Sequence, residues 1–244
     1  MQHVRFRDPA GSVRTGEWID DGVRFGDRTY DVEAVDVLPP TEPSKVVCVG
    51  MNYHDHVEEI GGEIPGRPRL FLKRPNTLSA HGDTVELIDR ERVDHEAEFG
   101  VVIGEQCRHV PENEAMDVVA GFTCVNDVSN RTDQRIDGSE SDLFRGKAFD
   151  NAAPIGPTVA TPEEVPDDAR IVLRVNGDTR QDSSRSQLLF SVPDLVAEIT
   201  AYVTLEPGDV IATGTPAGVG PLADGDTVEI GVEGIPTLRH DVAE

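Results

Sequence analysis

Short apolar segments separated by glycine, proline and aspartate run along most of this chain and predict a mainly β protein. One stretch differs: residues 192–202 repeat their apolar side chains with a helical period and carry Pro193 in the first turn, so they predict an α-helix. Residues 52–60 predict a second, short helix. The predicted strands lie at 45–50, 70–73, 85–88, 93–103, 118–125, 171–175, 210–212 and 227–230.

Two segments divide this pattern. Residues 1–42 alternate short polar and apolar stretches around turns and predict a small N-terminal β-meander, which the proline-rich segment 38–43 separates from a larger domain at 43–244. The glycine- and proline-rich connection at 61–68 has the composition of a hinged lid or of an ordinary surface loop, and the sequence leaves both interpretations open.

The segment 93–103 carries three carboxylates on one predicted strand. Because strand side chains alternate between faces, Asp94, Glu96 and Glu98 would share one face and the apolar residues the other. Like charges at this spacing need either water or a cation between them. The segment alone therefore predicts a site for a divalent cation such as Mg²⁺, Mn²⁺ or Ca²⁺, or else a solvated acidic surface.

Composition narrows the possible partners and the compartment. The chain has 244 residues and a formal charge of −24, which argues against nucleic acid or an anionic membrane as a partner. Lysine occurs at only three positions, and such an acidic, lysine-poor chain is expected in a salty, halophilic interior. Three widely spaced cysteines predict free thiols, and the lack of a signal-peptide core or a spanning segment predicts a soluble, cytoplasmic protein.

Three further segments carry chemically useful side chains. Asp127 ends an apolar strand and could supply a third oxygen ligand from a second strand, with Arg131 and Gln134 just beyond it. Lys147, one of the rare lysines, lies between glycine and aromatic residues. His56 and Glu59 are three residues apart on one helical face, an arrangement that lets a histidine take a proton from water.

Ordered motifs along the chain resemble those of the fumarylacetoacetate hydrolase family. They are Asn-Tyr-x-x-His-x-x-Glu at 52–59, Glu-x-Glu at 96–98, Asn-Asp-Val-Ser at 126–129, Gly-Lys-x-Phe-Asp at 146–150, Val-Asn-Gly at 175–177 and the run from Leu205 to Gly220. The resemblance implies a mostly β roll with a mixed, barrel-like sheet and assembly as a homodimer. Together with the few outer helices and the small N-terminal β domain that the pattern predicts, the expected fold class is mainly β (α+β).

The resemblance also implies a role for each matched residue. Glu96, Glu98 and Asp127 resemble the metal ligands, with Mg²⁺ expected and Mn²⁺ or Ca²⁺ as alternatives. His56 and Glu59 resemble a dyad that activates water, and Lys147 resembles the lysine that steadies a developing enolate. The residues that resemble substrate-binding groups are Arg131, Gln134, Thr213, Gly214 and Thr215.

Some positions depart from the family pattern. His54 stands where a small residue is more usual, so a second imidazole is expected to crowd the dyad. Thr132 and Asp133 replace the usual aspartate and leucine, and the segment 184–187 differs from the family run. The pattern does not make Asp94 a ligand. These differences leave the expected metal centre intact and bear on the choice of substrate.

The expected function is hydrolysis of a C–C bond in an acylpyruvate-type 2,4-dioxo acid through a metal-bound enolate. Alternatives that use the same enolate are 2-hydroxyhepta-2,4-diene-1,7-dioate isomerase, oxaloacetate decarboxylase or tautomerase, and 2-keto-3-deoxy sugar acid dehydratase. A non-catalytic binding module is a rival from another class, but the chain keeps the dyad, the ligands and the lysine. No glycine-rich phosphate fingerprint follows a strand, which argues against a Rossmann or P-loop enzyme.

Overall fold

The computed structural model describes residues 2–20, 22–87, 92–136 and 140–244 and shows a mostly β protein. Its strands are β1 (His3–Arg7), β2 (Val13–Ile19), β3 (Gly22–Phe25), β4 (Arg28–Asp31), β5 (Asp36–Val37), β6 (Val46–Gly50), β7 (Arg69–Lys73), β8 (Leu78–Ser79), β9 (Thr84–Glu86), β10 (Val93–His95), β11 (Ala97–Ile103), β12 (Val119–Asn126), β13 (Ser129–Asn130), β14 (Arg135–Ile136), β15 (Glu140–Ser141), β16 (Ala153–Ala160), β17 (Arg170–Val175), β18 (Asp178–Ser184), β19 (Val210–Ala212), β20 (Gly220–Pro221), β21 (Thr227–Val232) and β22 (Ile235–Ala243).

The helices are few and short. The α-helices are α1 (His54–Glu59), α2 (Arg131–Gln134), α3 (Leu143–Lys147) and α4 (Val192–Tyr202), and 3₁₀ turns occur at Val32–Ala34, Pro75–Thr77, Glu112–Val118, Pro162–Glu164 and Arg185–Gln187. The helix predicted at 192–202 is present with those bounds because Ser191 caps it: its side chain and that of Asp194 form a capping box. Within the described residues, no helix is long and apolar enough to cross a bilayer.

The largest sheet fixes the position of the site. Its strands run in the order β4-β3-β2-β1-β16-β12-β11-β19-β6-β7, so β7 is an edge strand. β19 and β6 are parallel to each other. β19 is antiparallel to its other neighbour, β11, and β6 is antiparallel to β7. The carboxyl ends of β6, β12 and β19 therefore meet the amino ends of β7 and β11 at one edge of the sheet.

Two hydrophobic clusters lie on opposite faces of this sheet. On the face that we call the inner face, Val46, Cys48, Val102, Val125, Ile155, Val210 and Ala212 pack together, with Phe71 against them. The other face packs through Phe99, Val101 and Phe122 against α4 and a second sheet in the order β18-β17-β21-β22-β9. The mainly β fold predicted from the sequence is confirmed.

The N-terminal strands have a small hydrophobic cluster of their own, formed by Val4, Phe6, Val23 and Val37. They are nevertheless continuous with the large sheet, since β1 pairs with β16 through His3 and Val159. The division into domains at 1–42 and 43–244 stays a prediction.

The prediction of one continuous strand at 93–103 is wrong. Residues 93–103 form two strands that meet at Glu96: β10 pairs with β13 and β20, while β11 pairs with β12 and β19. The chain changes sheets here because the Glu96 N–H donates to Asn126 Oδ1 at 2.8 Å and its carbonyl accepts from Asp127 N, also at 2.8 Å. The predicted strand at 85–88 is present as Thr84–Glu86, and residue 88 lies outside the described residues.

Candidate active site

A cavity of about 860 Å³ opens at the edge of the large sheet where these strand ends meet. Its size is typical of a pocket for a small organic ligand. Nine of the predicted site residues line it: His56, Glu59, Glu96, Glu98, Asp127, Arg131, Gln134, Lys147 and Thr215. Strand ends and the short helices α1, α2 and α3 thus bring residues that are far apart in the sequence to one cavity.

Three of these residues form a compact acidic cluster. One carboxylate oxygen from each of Glu96, Glu98 and Asp127 lies within 4.8 Å of the others, and all three side chains are buried. Glu98 and Asp127 share the inner face, because Glu98 pairs with Val125 and Asp127 lies two residues beyond Val125. The alternative of a solvated acidic surface at these residues is wrong.

The charges around the cluster are unevenly balanced. Burial acts to raise the pKa of Glu96, but Lys147 and Arg131 outweigh it and lower that pKa to about 2. The pKa of Glu98 is raised well above its usual range, by burial first and then by Asp127 and Glu96. No basic side chain among those described forms an ion pair with Glu98, which accepts a hydrogen bond from the Gly214 N–H at 2.8 Å.

This donor set fits a divalent cation. Three carboxylates lie buried close together, and one of them, Glu98, has no cationic partner in the described part of the chain, so a bound ion would supply the positive charge that Glu98 lacks. Hard oxygen ligands favour Mg²⁺, Mn²⁺ or Ca²⁺. Glu96, Glu98 and Asp127 would hold the ion.

Two buried lysines compensate the rest of the charge. Lys147 Nζ lies 2.7 Å from Glu96 Oε2 and 2.6 Å from Asp127 Oδ2, and these carboxylates raise its pKa although burial acts to lower it. Lys73 Nζ lies 2.8 Å from Asp127 Oδ1 and donates to the carbonyls of Val128 and Ala152. Lys73 is not among the predicted site residues. Two features of the sequence could have indicated it: lysine is rare in this chain, and Lys73 ends a predicted apolar strand.

The predicted dyad lies on the cavity wall at α1. His56 Nδ1 is 3.3 Å from Glu59 Oε2, and Glu59 Oε1 accepts from the Gly218 N–H at 3.0 Å. With Nδ1 turned to Glu59, His56 keeps Nε2 for a ligand or a water molecule. His54 is exposed and does not line the cavity, so the expected crowding of the dyad by a second imidazole is not observed.

Arg131 is held rigidly by acidic neighbours. Its guanidinium donates to Asp94 Oδ2 at 2.9 Å, to Gln134 Oε1 at 2.9 Å and to Glu96. Asp94 is buried and also pairs with Arg92 at 2.9 Å, so this carboxylate fixes two arginines. Both arginines line the cavity.

In the loop after β19, some polar groups hydrogen-bond to the neighbouring strand and one residue lines the cavity. Thr213 Oγ1 donates to the Phe99 carbonyl at 3.1 Å and Gly214 N donates to Glu98, so neither residue lines the cavity and both support β11. Thr215 does reach the cavity. This placement differs from the expected role of Thr213 and Gly214 in binding substrate.

A buried amide links this loop to the acidic cluster. Gln181 Oε1 accepts from the N–H of Ala97, between the two clustered glutamates, and its Nε2 donates to Thr215 Oγ1 at 2.7 Å and to the Pro216 carbonyl. On the other side, Asn126 Nδ2 lies 2.9 Å from His240 Nε2, where burial lowers the histidine pKa to about 4. These partners are far apart in the chain, so no local sequence pattern shows the contacts between them.

Comparison with known proteins places the chain among enzymes. The 2,4-didehydro-3-deoxy-L-rhamnonate hydrolase of Sphingomonas sp. strain SKA58 is 41% identical over 218 residues, which are 85% of this chain and 76% of that protein. The crystal structure of 5-carboxymethyl-2-hydroxymuconate delta-isomerase from Mycobacterium smegmatis has a TM-score of 0.88 at 40% identity, covering 100% of this chain and 98% of that chain.

A third protein was solved with a metal ion. The maleylpyruvate hydrolase from Sphingobium sp. SYK-6, in complex with manganese(II) ion and pyruvate, has a TM-score of 0.82 at 28% identity and covers 100% of this chain and 99% of that chain. The family described as fumarylacetoacetate (FAA) hydrolase C-terminal matches residues 45–243. The resemblance seen in the motifs is therefore confirmed, and this chain belongs to the fumarylacetoacetate hydrolase family.

Proposed function

We propose that this protein hydrolyses a C–C bond in acylpyruvate-type 2,4-dioxo acids. The observation that carries the proposal is the placement of the His56–Glu59 dyad and the acidic cluster of Glu96, Glu98 and Asp127 on the wall of one cavity. The acidic cluster would bind the 2-oxo acid end of a substrate through a cation, and the dyad would activate a water molecule. Hydrolysis needs both.

A divalent cation held by Glu96, Glu98 and Asp127 would bind the carboxylate and 2-oxo oxygen of the substrate and stabilise negative charge on that oxygen. We propose Mg²⁺, with Mn²⁺ or Ca²⁺ as alternatives. Lys147 adds a fixed positive charge beside the cluster, where it stabilises an enolate as that charge develops. Arg131 and Gln134 line the same wall and are proposed to orient the substrate carboxylate.

The dyad would supply the nucleophile. Glu59 orients His56 through Nδ1, and His56 takes a proton from water as the oxygen attacks the C4 carbonyl. The C3–C4 bond then breaks and its electron pair passes into the enolate of pyruvate, which is protonated at C3. One acylpyruvate and one water molecule thus give pyruvate, a carboxylate and one proton.

The decisive experiment compares two neighbouring histidines. His56→Ala removes the base and should lower kcat for acylpyruvate hydrolysis by about 10²–10⁴-fold, with Mn²⁺ affinity retained because the acidic cluster is untouched. His54→Ala is the matched control, since His54 is exposed and outside the cavity, and it should keep full activity. Turnover and isothermal titration with Mn²⁺ check both. Undiminished hydrolysis by His56→Ala would refute the dyad.

An isomerase or tautomerase is the second candidate, and the 40% identity to a solved delta-isomerase favours it. Such a reaction uses the same enolate but moves only a proton, with His56 as the base and no attack by water. Product analysis separates the two candidates. Hydrolysis of an acylpyruvate releases pyruvate and a shorter acid, whereas isomerisation of a 2-hydroxydienedioate leaves the carbon skeleton whole.

A further inference from the structure

Arg69 occupies a distinctive place on the cavity wall. It begins the edge strand β7 opposite Gly50, and it lines the cavity. Strand alternation gives Arg69, Phe71 and Lys73 the same face. On that face Lys73 contacts Asp127, and the Phe71 ring centroid lies 5.4 Å from Lys147 Nζ. Arg69 therefore extends the same row away from the acidic cluster, roughly 7 Å beyond Phe71 along the strand.

The other basic groups of the cavity are already engaged by acidic partners. Lys147 pairs with Glu96 and Asp127, Arg92 pairs with Asp94, and Arg131 pairs with both Asp94 and Glu96. Arg69 forms no hydrogen bond or ion pair with any side chain that the structure describes. Of the three arginines that line the cavity, the exposed Arg69 is thus the one without a carboxylate partner among the described residues.

The apolar ring of Phe71 lies between Arg69 and Lys73 in this row, and further apolar side chains line the cavity. Val49, Ile60, Leu70, Phe71 and Leu143 line the cavity together with the polar residues. Such a surface suits a carbon chain, which gains by leaving water. The cavity thus has a cluster for a 2-oxo acid, an apolar middle and an open guanidinium.

We propose that Arg69 binds a second carboxylate at the far end of the substrate, so that this enzyme acts on dianionic 2-oxo acids in preference to monoanionic ones. This inference rests on the proposed function, since it takes the acidic cluster as the place of the 2-oxo acid group. A guanidinium offers two parallel N–H donors to a carboxylate, which gives the contact both strength and direction. Arg69 is a specificity-determining residue in this view.

The test uses binding, so that it does not depend on turnover. The probes are 2-oxoadipate and 2-oxohexanoate, which have the same chain length and differ in a terminal carboxylate against a methyl group. Each is titrated calorimetrically into the full-length protein loaded with Mn²⁺, at fixed ionic strength because screening weakens charge pairs. The wild-type protein should bind 2-oxoadipate about tenfold more tightly than 2-oxohexanoate.

Three variants test whether Arg69 causes the preference for 2-oxoadipate. Arg69→Gln should weaken 2-oxoadipate about tenfold and leave 2-oxohexanoate unchanged, and Arg69→Lys should recover part of the loss. Arg67→Gln is the matched control: Arg67 lies two residues away and is exposed, but it pairs with Glu198 and Tyr202 outside the cavity. It should leave both affinities unchanged.

The outcomes separate the two proposals. Loss of the preference for 2-oxoadipate in Arg69→Gln alone supports the inference. Equal binding of the two probes by the wild-type protein, or equal weakening of both in Arg69→Gln, overturns it and leaves the proposed function standing. If neither probe binds the Mn²⁺-loaded wild-type protein, the 2-oxo acid site itself is refuted, and the inference falls with it.

Discussion

Lys73 supports the acidic cluster from outside the cavity. Lys73 is 1% exposed, and its ammonium forms an ion pair with Asp127 Oδ1 at 2.8 Å, while Lys147 donates a hydrogen bond to the other oxygen of the same carboxylate from the cavity side. Asp127 is thus held at both oxygens by buried charges. Removing one partner of a buried pair is costly because it leaves a charge without compensation in a medium of low dielectric constant.

Lys73→Met should therefore lower the free energy of unfolding by about 3–5 kcal/mol. Urea denaturation followed by circular dichroism measures this. The control is Arg24→Gln, which breaks the exposed pair with Glu17 and should cost at most about 1 kcal/mol. Equal stabilities of the two variants would show that Lys73 is dispensable to the fold.

At the level of single residues, the sequence predicts the acidic triad and the dyad because each has a short motif of its own. Lys73 has no such motif, and its partner Asp127 lies 54 positions away in the chain. The contact of Gln181 with Ala97, 84 positions away, likewise cannot be read from a local pattern. Thr213 and Gly214 show the opposite case, a visible motif whose role the sequence does not reveal. Their motif is plain, but whether a hydroxyl or an N–H points to the ligand or to the scaffold depends on the local backbone.

Among the secondary-structure elements, β12 is the one that carries Asp127 to the site. It lies between β11 and β16 and contains Gly121, where a Cβ atom would lie 2.1 Å from the Ala160 carbonyl oxygen of β16. Two backbones approach here more closely than any side chain permits. The glycine is therefore required by packing against the neighbouring strand.

Gly121→Ala should destabilise the protein by about 3 kcal/mol, because the strands must move apart to admit the methyl group. Gly66→Ala is the matched control: an added Cβ there meets nothing within 4 Å. Thermal unfolding of the two variants and the wild-type protein checks the prediction. An unchanged Tm for Gly121→Ala would mean that β12 and β16 separate freely.

Elements with a strong internal period are predicted well from the sequence. The helix α4 and the strand β19 have the predicted bounds, since each combines an apolar pattern with clear capping or turn residues. The strand β16 was missed because Pro154, Gly156 and Pro157 interrupt its apolar pattern. The break at Glu96 depends on the side chain of Asn126, which a local pattern cannot include.

For the whole molecule, the charge of −24 is the dominant property. Exposed carboxylates repel one another across the surface, and added salt reduces this repulsion, with a screening length that falls from ~10 Å at 0.1 M to ~3 Å at 1 M. The pairs that hold the acidic cluster are buried and respond much less. Added salt should therefore stabilise the folded protein by reducing repulsion between surface carboxylates, and it should leave the buried ion pairs of the acidic cluster largely unchanged.

Raising KCl from 0.1 M to 1 M should increase Tm by at least ~2–4 °C, the shift that about 1 kcal/mol produces in a chain of this size. NaCl at equal ionic strength should act alike if screening is the cause. Differential scanning calorimetry measures both. A Tm that falls or stays constant with salt would contradict the proposed halophilic adaptation. Homodimer assembly stays a prediction at this scale.

The three lysines of this chain have a common arrangement that bears on how its sequence can drift. Lys45 pairs with the buried Asp209, and Lys73 and Lys147 are enclosed beside Asp127. Mutation can exchange a surface lysine for arginine or an acid at little cost, but an enclosed ammonium cannot become a larger, planar guanidinium without displacing its surroundings. An evolutionary trend that removes lysine from the exterior would therefore stop at Lys73 and Lys147, whose ammonium groups lie in the interior.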